Sequence, residues 1–252
     1  MAFNKYQVIK GAVSYELANF VFNYFLLKRD AAKFMYDNNI IADSGMFGTW
    51  GDTQIPNTYS HYADPVMETL LVKMLPVMVK ETGLQLIPTY SYSRIYKKGD
   101  ELKRHKDRPS CEVSITCCLG YDYKGKEDYN WGMFVGPEDG ERGTKGKMIP
   151  MEPGDGVIYR GCEVEHWREA FNAPLGAWQT QVFLHYVDKN GPYGDFCKFD
   201  SRPALGLPHT TKDMDKVKAA NDIDKNAHYK QKDIDFPELS KEEVPYENRE
   251  EK

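Results

Sequence analysis

The sequence predicts an α+β protein, with a helical N-terminal third followed by an antiparallel sandwich or barrel. Three observations predict it. Residues 65–82 repeat apolar side chains at helical spacing between a capping aspartate and a glycine. From residue 86 the chain becomes a series of short β-rich runs divided by turn residues. No helix-length pattern separates those runs, which argues against a parallel sheet with crossover helices.

The elements follow in order. After Ser14 comes YELANFVFNYFLLKR, dense in apolar residues and closed by a basic pair. The second helix is better signed. Asp64 suits its cap, Pro65 its first position and Gly83 its end. Met67, Leu70, Leu71, Met74, Leu75 and Met78 supply one buried face, and Pro76 should kink it. The strand runs are LIPTYSYSRIY, CEVSITCCLGY, WGMFVG, KMIPMEP, VIYRG and WQTQVFLHYV. Residues 137–147 form a polar loop that lacks the glycine spacing of a phosphate loop. From residue 190 the chain turns polar and charged, as expected of one or two surface helices and a loose end. The expected organisation is a helical support region over 1–85, a β core over 86–190 and a polar extension over 191–252.

Composition narrows the function. Of the 252 residues, 41% are apolar and 28% charged, as in an ordinary globular protein. A net charge of −5 gives no general attraction to nucleic acid or anionic membrane. No apolar run approaches the roughly 20 residues of a membrane span. The N-terminus lacks the layout of a secretion signal, so a cytoplasmic location is expected. The five cysteines form no C-x-x-C pair, which argues against a disulfide framework or a zinc ribbon. Nothing in the sequence speaks to oligomeric state.

Two of the six histidines lie where chemistry is expected. His105 and Asp107 are two apart, so in an extended segment they share a face. His166 follows a strand entered through the turn Pro153-Gly154-Asp155-Gly156, and an antiparallel barrel can set that strand beside the first. Two histidines and one carboxylate form the facial triad of non-haem iron(II). Taken alone, His105 among Lys103, Arg104, Lys106 and Arg108 reads more readily as a solvated loop histidine. His61, His185, His209 and His228 have no metal partner at a suitable spacing and read as structural or exposed.

The stretch RIYKKGDELKRHKDRPSCEVSITCCLGYD resembles the core motif of prolyl-4-hydroxylase-like 2-oxoglutarate/Fe(II)-dependent dioxygenases, in which Tyr-x-x-Gly leads to H-x-D and a strand. EPGDGVIYRGCEVEHWRE is similar to the family's second metal-histidine segment, and QVFLHYVD to its closing strand. The resemblance covers roughly residues 86–190. It implies a double-stranded β-helix (jelly-roll or cupin-like) core with N-terminal helices packed on it. It also implies Fe(II) on His105, Asp107 and His166, 2-oxoglutarate as co-substrate and ascorbate as reductant. The products would be succinate, CO2 and a hydroxylated substrate, a prolyl residue in a peptide or protein. Tyr96 matches a family tyrosine that contacts 2-oxoglutarate, though a core aromatic fits it equally.

One departure matters. The family places Arg or Lys on the closing strand to meet the distal carboxylate of 2-oxoglutarate, but Trp178 and Gln179 stand there. Arg168, two residues past His166, can point inward; Arg94, on the Tyr90, Tyr92, Tyr96 face, is the alternative source. Ser114 and Cys118 share a strand face and are candidates to line the pocket, with a core role favoured for Cys118; Trp131 and Trp167 are candidates to shape a groove, with packing favoured for each. Two rival functions use the same residues: a zinc hydrolase with Glu165 as its base, and a barrel that only binds a ligand.

Overall fold

The computed structural model describes residues 5–41, 45–126, 128–136, 145–194 and 196–207. Strand β1 (Tyr6–Ile9) leads to helix α1 (Tyr15–Asp37), capped by Ser14, whose hydroxyl accepts from the Leu17 amide. Ala18, Val21, Phe22 and Phe25 recur at helical spacing and are buried. Strand β2 (Ser60–Tyr62) precedes helix α2 (Pro65–Thr82). The Asp64 carboxylate accepts from the amides of Val66 and Met67, and Gly83 ends the helix at φ +70°. Met67, Leu70, Leu71, Met74 and Met78 are buried as predicted, whereas Leu75 is half-buried. The helix continues through Pro76.

Eight further strands follow among the described residues: β3 (Leu86–Lys97), β4 (Leu102–His105), β5 (Val113–Asp122), β6 (Met133–Val135), β7 (Lys147–Ile149), β8 (Gly156–Tyr159), β9 (His166–Arg168) and β10 (Trp178–Asp188). They form two antiparallel sheets, β1-β8-β5-β10-β3-β2 and β4-β9-β6-β7. The strand runs read from the sequence are all there. The α+β class also holds, with a double-stranded β-helix core carrying N-terminal helices.

Period-two alternation sorts the long strands by face. Ile95 of β3, Val113, Ile115, Cys117 and Leu119 of β5, and Val182, Leu184 and Tyr186 of β10 join the cluster that includes the buried faces of α1 and α2. The Tyr186 hydroxyl fixes this contact by donating to the Leu71 carbonyl at 2.7 Å. The opposite faces of β3 and β10 present Tyr90, Tyr92, Arg94 and Tyr96, and Gln179, Gln181, Phe183 and His185, to the space between the sheets. So many polar groups turned inward mark that space as a site rather than a core.

Among the described residues after 190, Arg202 departs from a loose polar extension. Arg202 is buried and donates to Glu68 of α2 at 2.6 Å and to the Thr89 carbonyl at 2.9 Å. Paired burial lets a charged stretch pack as part of the domain. Residues 137–144 of the polar loop and the expected helices after 207 lie outside the described residues, while Lys147, read as the end of that loop, begins β7.

Candidate active site

The site is assembled where β4 meets β9. Gly99, at φ +89°, turns the chain out of β3 so that β4 can pair with β9. That pairing sets His105 opposite His166, with ring centroids 4.3 Å apart. Asp107 lies two residues on, and its amide donates to the Gly161 carbonyl at 2.9 Å. One Asp107 oxygen, Oδ1, is then 3.5 Å from Nε2 of both histidines. Gly161 has no room for a side chain, because a Cβ there would stand 2.2 Å from the Cys111 carbonyl and 2.6 Å from Asp107 Oδ2.

The donor set fits a metal ion. His105 Nδ1 donates to the Lys103 carbonyl at 2.7 Å and His166 Nδ1 to the Val164 carbonyl at 3.0 Å. A carbonyl only accepts, so in each neutral ring the proton sits on Nδ1 and the Nε2 lone pair faces Asp107. Asp107 Oδ2 is buried with no hydrogen-bond partner, a costly state that a cation would relieve. Cis ligands of an octahedral ion sit roughly 3 Å apart, so the 3.5 Å contacts need to close by a few tenths of an ångström. Burial opposes ionisation of Asp107, but the adjacent His166 and His105 outweigh it and hold its carboxyl well below the usual range. Burial likewise opposes charging of His105, but Asp107 and the Lys103 carbonyl raise its pKa overall.

A cavity of about 600 Å³ opens on this cluster and reaches Arg168 and Arg94. The two arginines differ. Arg168 is 1% exposed, donates to the Trp131 carbonyl at 2.9 Å and lies beside the Trp131 ring. It has no carboxylate partner among the described residues. Burial pulls its pKa below the ordinary value, as expected of a cation without a counter-charge. Arg94 is ion-paired with Asp52 and also donates to Gln54 at 3.2 Å. Burial acts against its charge, but Tyr96, Tyr92 and Asp52 outweigh that and raise its pKa.

Gln179 stands opposite Tyr96 across the β3–β10 pair, accepts from the Tyr123 hydroxyl and donates to the Trp131 carbonyl at 3.3 Å. Tyr96 is buried edge-on against Trp131, with its hydroxyl 3.5 Å from Arg94. Cys118 packs in an apolar cluster with Met133 and Met151. Ser114 bonds His185, and Trp167 stacks on Phe134 and lines the cavity.

Structural comparison places this arrangement among known folds. A prolyl-4-hydroxylase from Pseudomonas putida superposes with a TM-score of 0.52 at 14% identity, over 73% of this chain and 93% of that one. The non-heme alpha-ketoglutarate-dependent epimerase SnoN from nogalamycin biosynthesis gives 0.53 at 15%, over 82% and 91%. The fold is that of the 2-oxoglutarate/Fe(II) oxygenases. EctD from S. alaskensis, in its apoform, shares the same oxygenase fold at 0.51 and 14% identity, over 81% of this chain and 85% of that one. No protein-family model and no curated protein matches the sequence.

Several cavity residues carried no sequence signal as site residues. Asp52 and Gln54 reach the cavity from the segment between the helices. His185, buried on β10, bonds Ser114 through Nδ1 and is kept neutral by burial, with its pKa lowered to about 4. No helix among the described residues is long and apolar enough to cross a membrane.

Proposed function

We propose that this protein is an Fe(II)- and 2-oxoglutarate-dependent dioxygenase that hydroxylates an unactivated C–H bond. The observation that carries the reading is the convergence of Nε2 of His105 and of His166 on Asp107 Oδ1, each at 3.5 Å, facing a cavity that also holds Arg168, which has no counter-ion among the described residues. His105, Asp107 and His166 would hold the iron. When bound, iron would supply, with 2-oxoglutarate and O2, oxidative decarboxylation to succinate and CO2, one oxygen atom of O2 entering succinate and the other the substrate. The protein's own work is positioning. The two Nδ1–carbonyl bonds fix each imidazole and its tautomer. Arg168 offers the distal carboxylate of 2-oxoglutarate a charge-assisted pair. Tyr96 and Gln179 are buried behind that end and do not line the cavity; both pack on Trp131, whose carbonyl also holds Arg168, and Arg94, tied to Asp52, lines the substrate end.

The substrate we favour is a prolyl residue in a peptide or protein. Tyr90, Tyr92 and Phe183 line the cavity and give a flat apolar ring a matching surface. Five free cysteines suit a reducing compartment, in keeping with a cytoplasmic location. A zinc hydrolase would need Glu165 as its base, and Glu165 is engaged by Arg104 at 2.6 Å. The test is succinate formation from 2-oxoglutarate with and without Fe(II), followed by a peptide array screened for a mass gain of one oxygen. Iron-dependent succinate supports the dioxygenase. Its absence, with a ligand still bound, favours a binding barrel.

A further inference from the structure

We propose that Asp200 is a positioning residue for the metal loop, acting through Arg108; the proposal rests on the metal-centre reading above. Arg108 directly follows Asp107. Pro109 restricts the Arg108 backbone to extended conformations, and it sits at φ −81°, ψ 165°. Its side chain is held separately. Nη1 and Nη2 of Arg108 meet the two Asp200 oxygens at 2.6 and 2.7 Å, and Nη1 also donates to Ser110 at 2.8 Å. The guanidinium lies 4.6 Å from the centre of the Tyr90 ring. The residue after the carboxylate ligand is thus fixed in both backbone and side chain.

Asp200 is itself held from several sides. It is 4% exposed and accepts from the Tyr62 hydroxyl at 2.6 Å. Phe199, Asp200 and Ser201 take φ values of +52°, +56° and +61° in succession, with no glycine among them. Such strained backbone persists only where its surroundings over-determine it, and it concentrates at functional sites. The next residue, Arg202, supplies the anchor by binding Glu68 of α2 and the Thr89 carbonyl of β3. The strained turn therefore carries Asp200 from the helix–sheet junction to the metal loop. A paired, hydrogen-bonded carboxylate in that place restrains Asp107 without touching the metal.

Co(II) titration of the full chain, followed by visible absorption and chelator competition, tests this without any substrate. Asp200→Asn keeps the volume and removes the charge. Its Co(II) dissociation constant should rise on the order of ten-fold, as for other groups that orient metal ligands, with an unchanged far-ultraviolet spectrum. Leu71→Ala, a destabilised control remote from the loop, should bind Co(II) like the wild type. Asp200→Asn binding within two-fold of wild type would overturn the proposal. If Asp200→Asn does not fold, Arg108→Lys decides, because it keeps the charge and loses the two-point contact. A several-fold rise supports the latch and no change refutes it. Wild-type protein that binds no Co(II), or binds it equally well as Asp107→Ala, would instead sink the metal-centre reading.

Discussion

Arg104 and Glu165 form an ion pair, 2.6 Å between Arg104 Nη2 and the Glu165 carboxylate, and each stands one residue before a candidate metal histidine. The pair joins β4 to β9 at the edge of the site, with the Arg104 guanidinium over the Trp167 ring at 4.4 Å. It leaves Glu165 as a structural tie rather than a base. Both side chains are about one-quarter exposed, at 27% and 20%, so the pair contributes only about 0.5–1 kcal/mol. Glu165→Gln should shift the urea midpoint by that small amount and retain most 2-oxoglutarate turnover. A loss of several hundred-fold in turnover would return Glu165 to the role of catalytic base.

Arg168 is expected to set the 2-oxoglutarate requirement. It is the buried arginine of the cavity without a carboxylate partner among the described residues, whereas Arg94 already has Asp52. Removing one partner of a buried charge pair costs about 3–5 kcal/mol. Arg168→Ala should therefore raise the KM for 2-oxoglutarate ten-fold or more, with metal affinity little changed. An unchanged KM, with a large rise in Arg94→Ala, would move the anchor to β3.

His185 predicts a pH effect on stability. Burial lowers its pKa from 6.5 to about 4 in the folded protein. Between these values the unfolded chain binds a proton that the folded chain refuses, so stability falls as pH drops from about 6.5 to about 4. At 1.36 kcal/mol per unit the loss is about 3 kcal/mol. Urea unfolding of metal-free protein at pH 7 and 4.5 should show a larger loss in wild type than in His185→Gln. Equal losses in the two proteins would mean that His185 does not titrate in this window.

The sequence reported the elements that local physics determines. Asp64, Pro65 and Gly83 bound α2, and alternation marked β3, β5 and β10. The strands it did not show, β1, β2, β4 and β9, are three or four residues long and exist because a distant partner supplies their hydrogen bonds. The same division runs through the site. Spacing put His105 and Asp107 on one face, since period two acts locally, whereas His166 came from the family resemblance, and it is the pairing of β4 with β9 that brings the three side chains together. That Arg94 is already occupied was not legible, because Asp52 lies in a segment with no periodicity. Arg202 reads as surface charge until Glu68, 134 residues away, is placed against it.

The most direct test of the account is succinate yield from 2-oxoglutarate, with Fe(II) and O2, for wild type and for His105→Ala, Asp107→Ala and His166→Ala. The wild type should form succinate only with iron. Each variant should form essentially none while keeping its far-ultraviolet spectrum, since each lacks one of three protein ligands. Near-native iron-dependent yield from any one variant would contradict the assignment at that residue, and no iron-dependent succinate from the wild type would contradict the function itself.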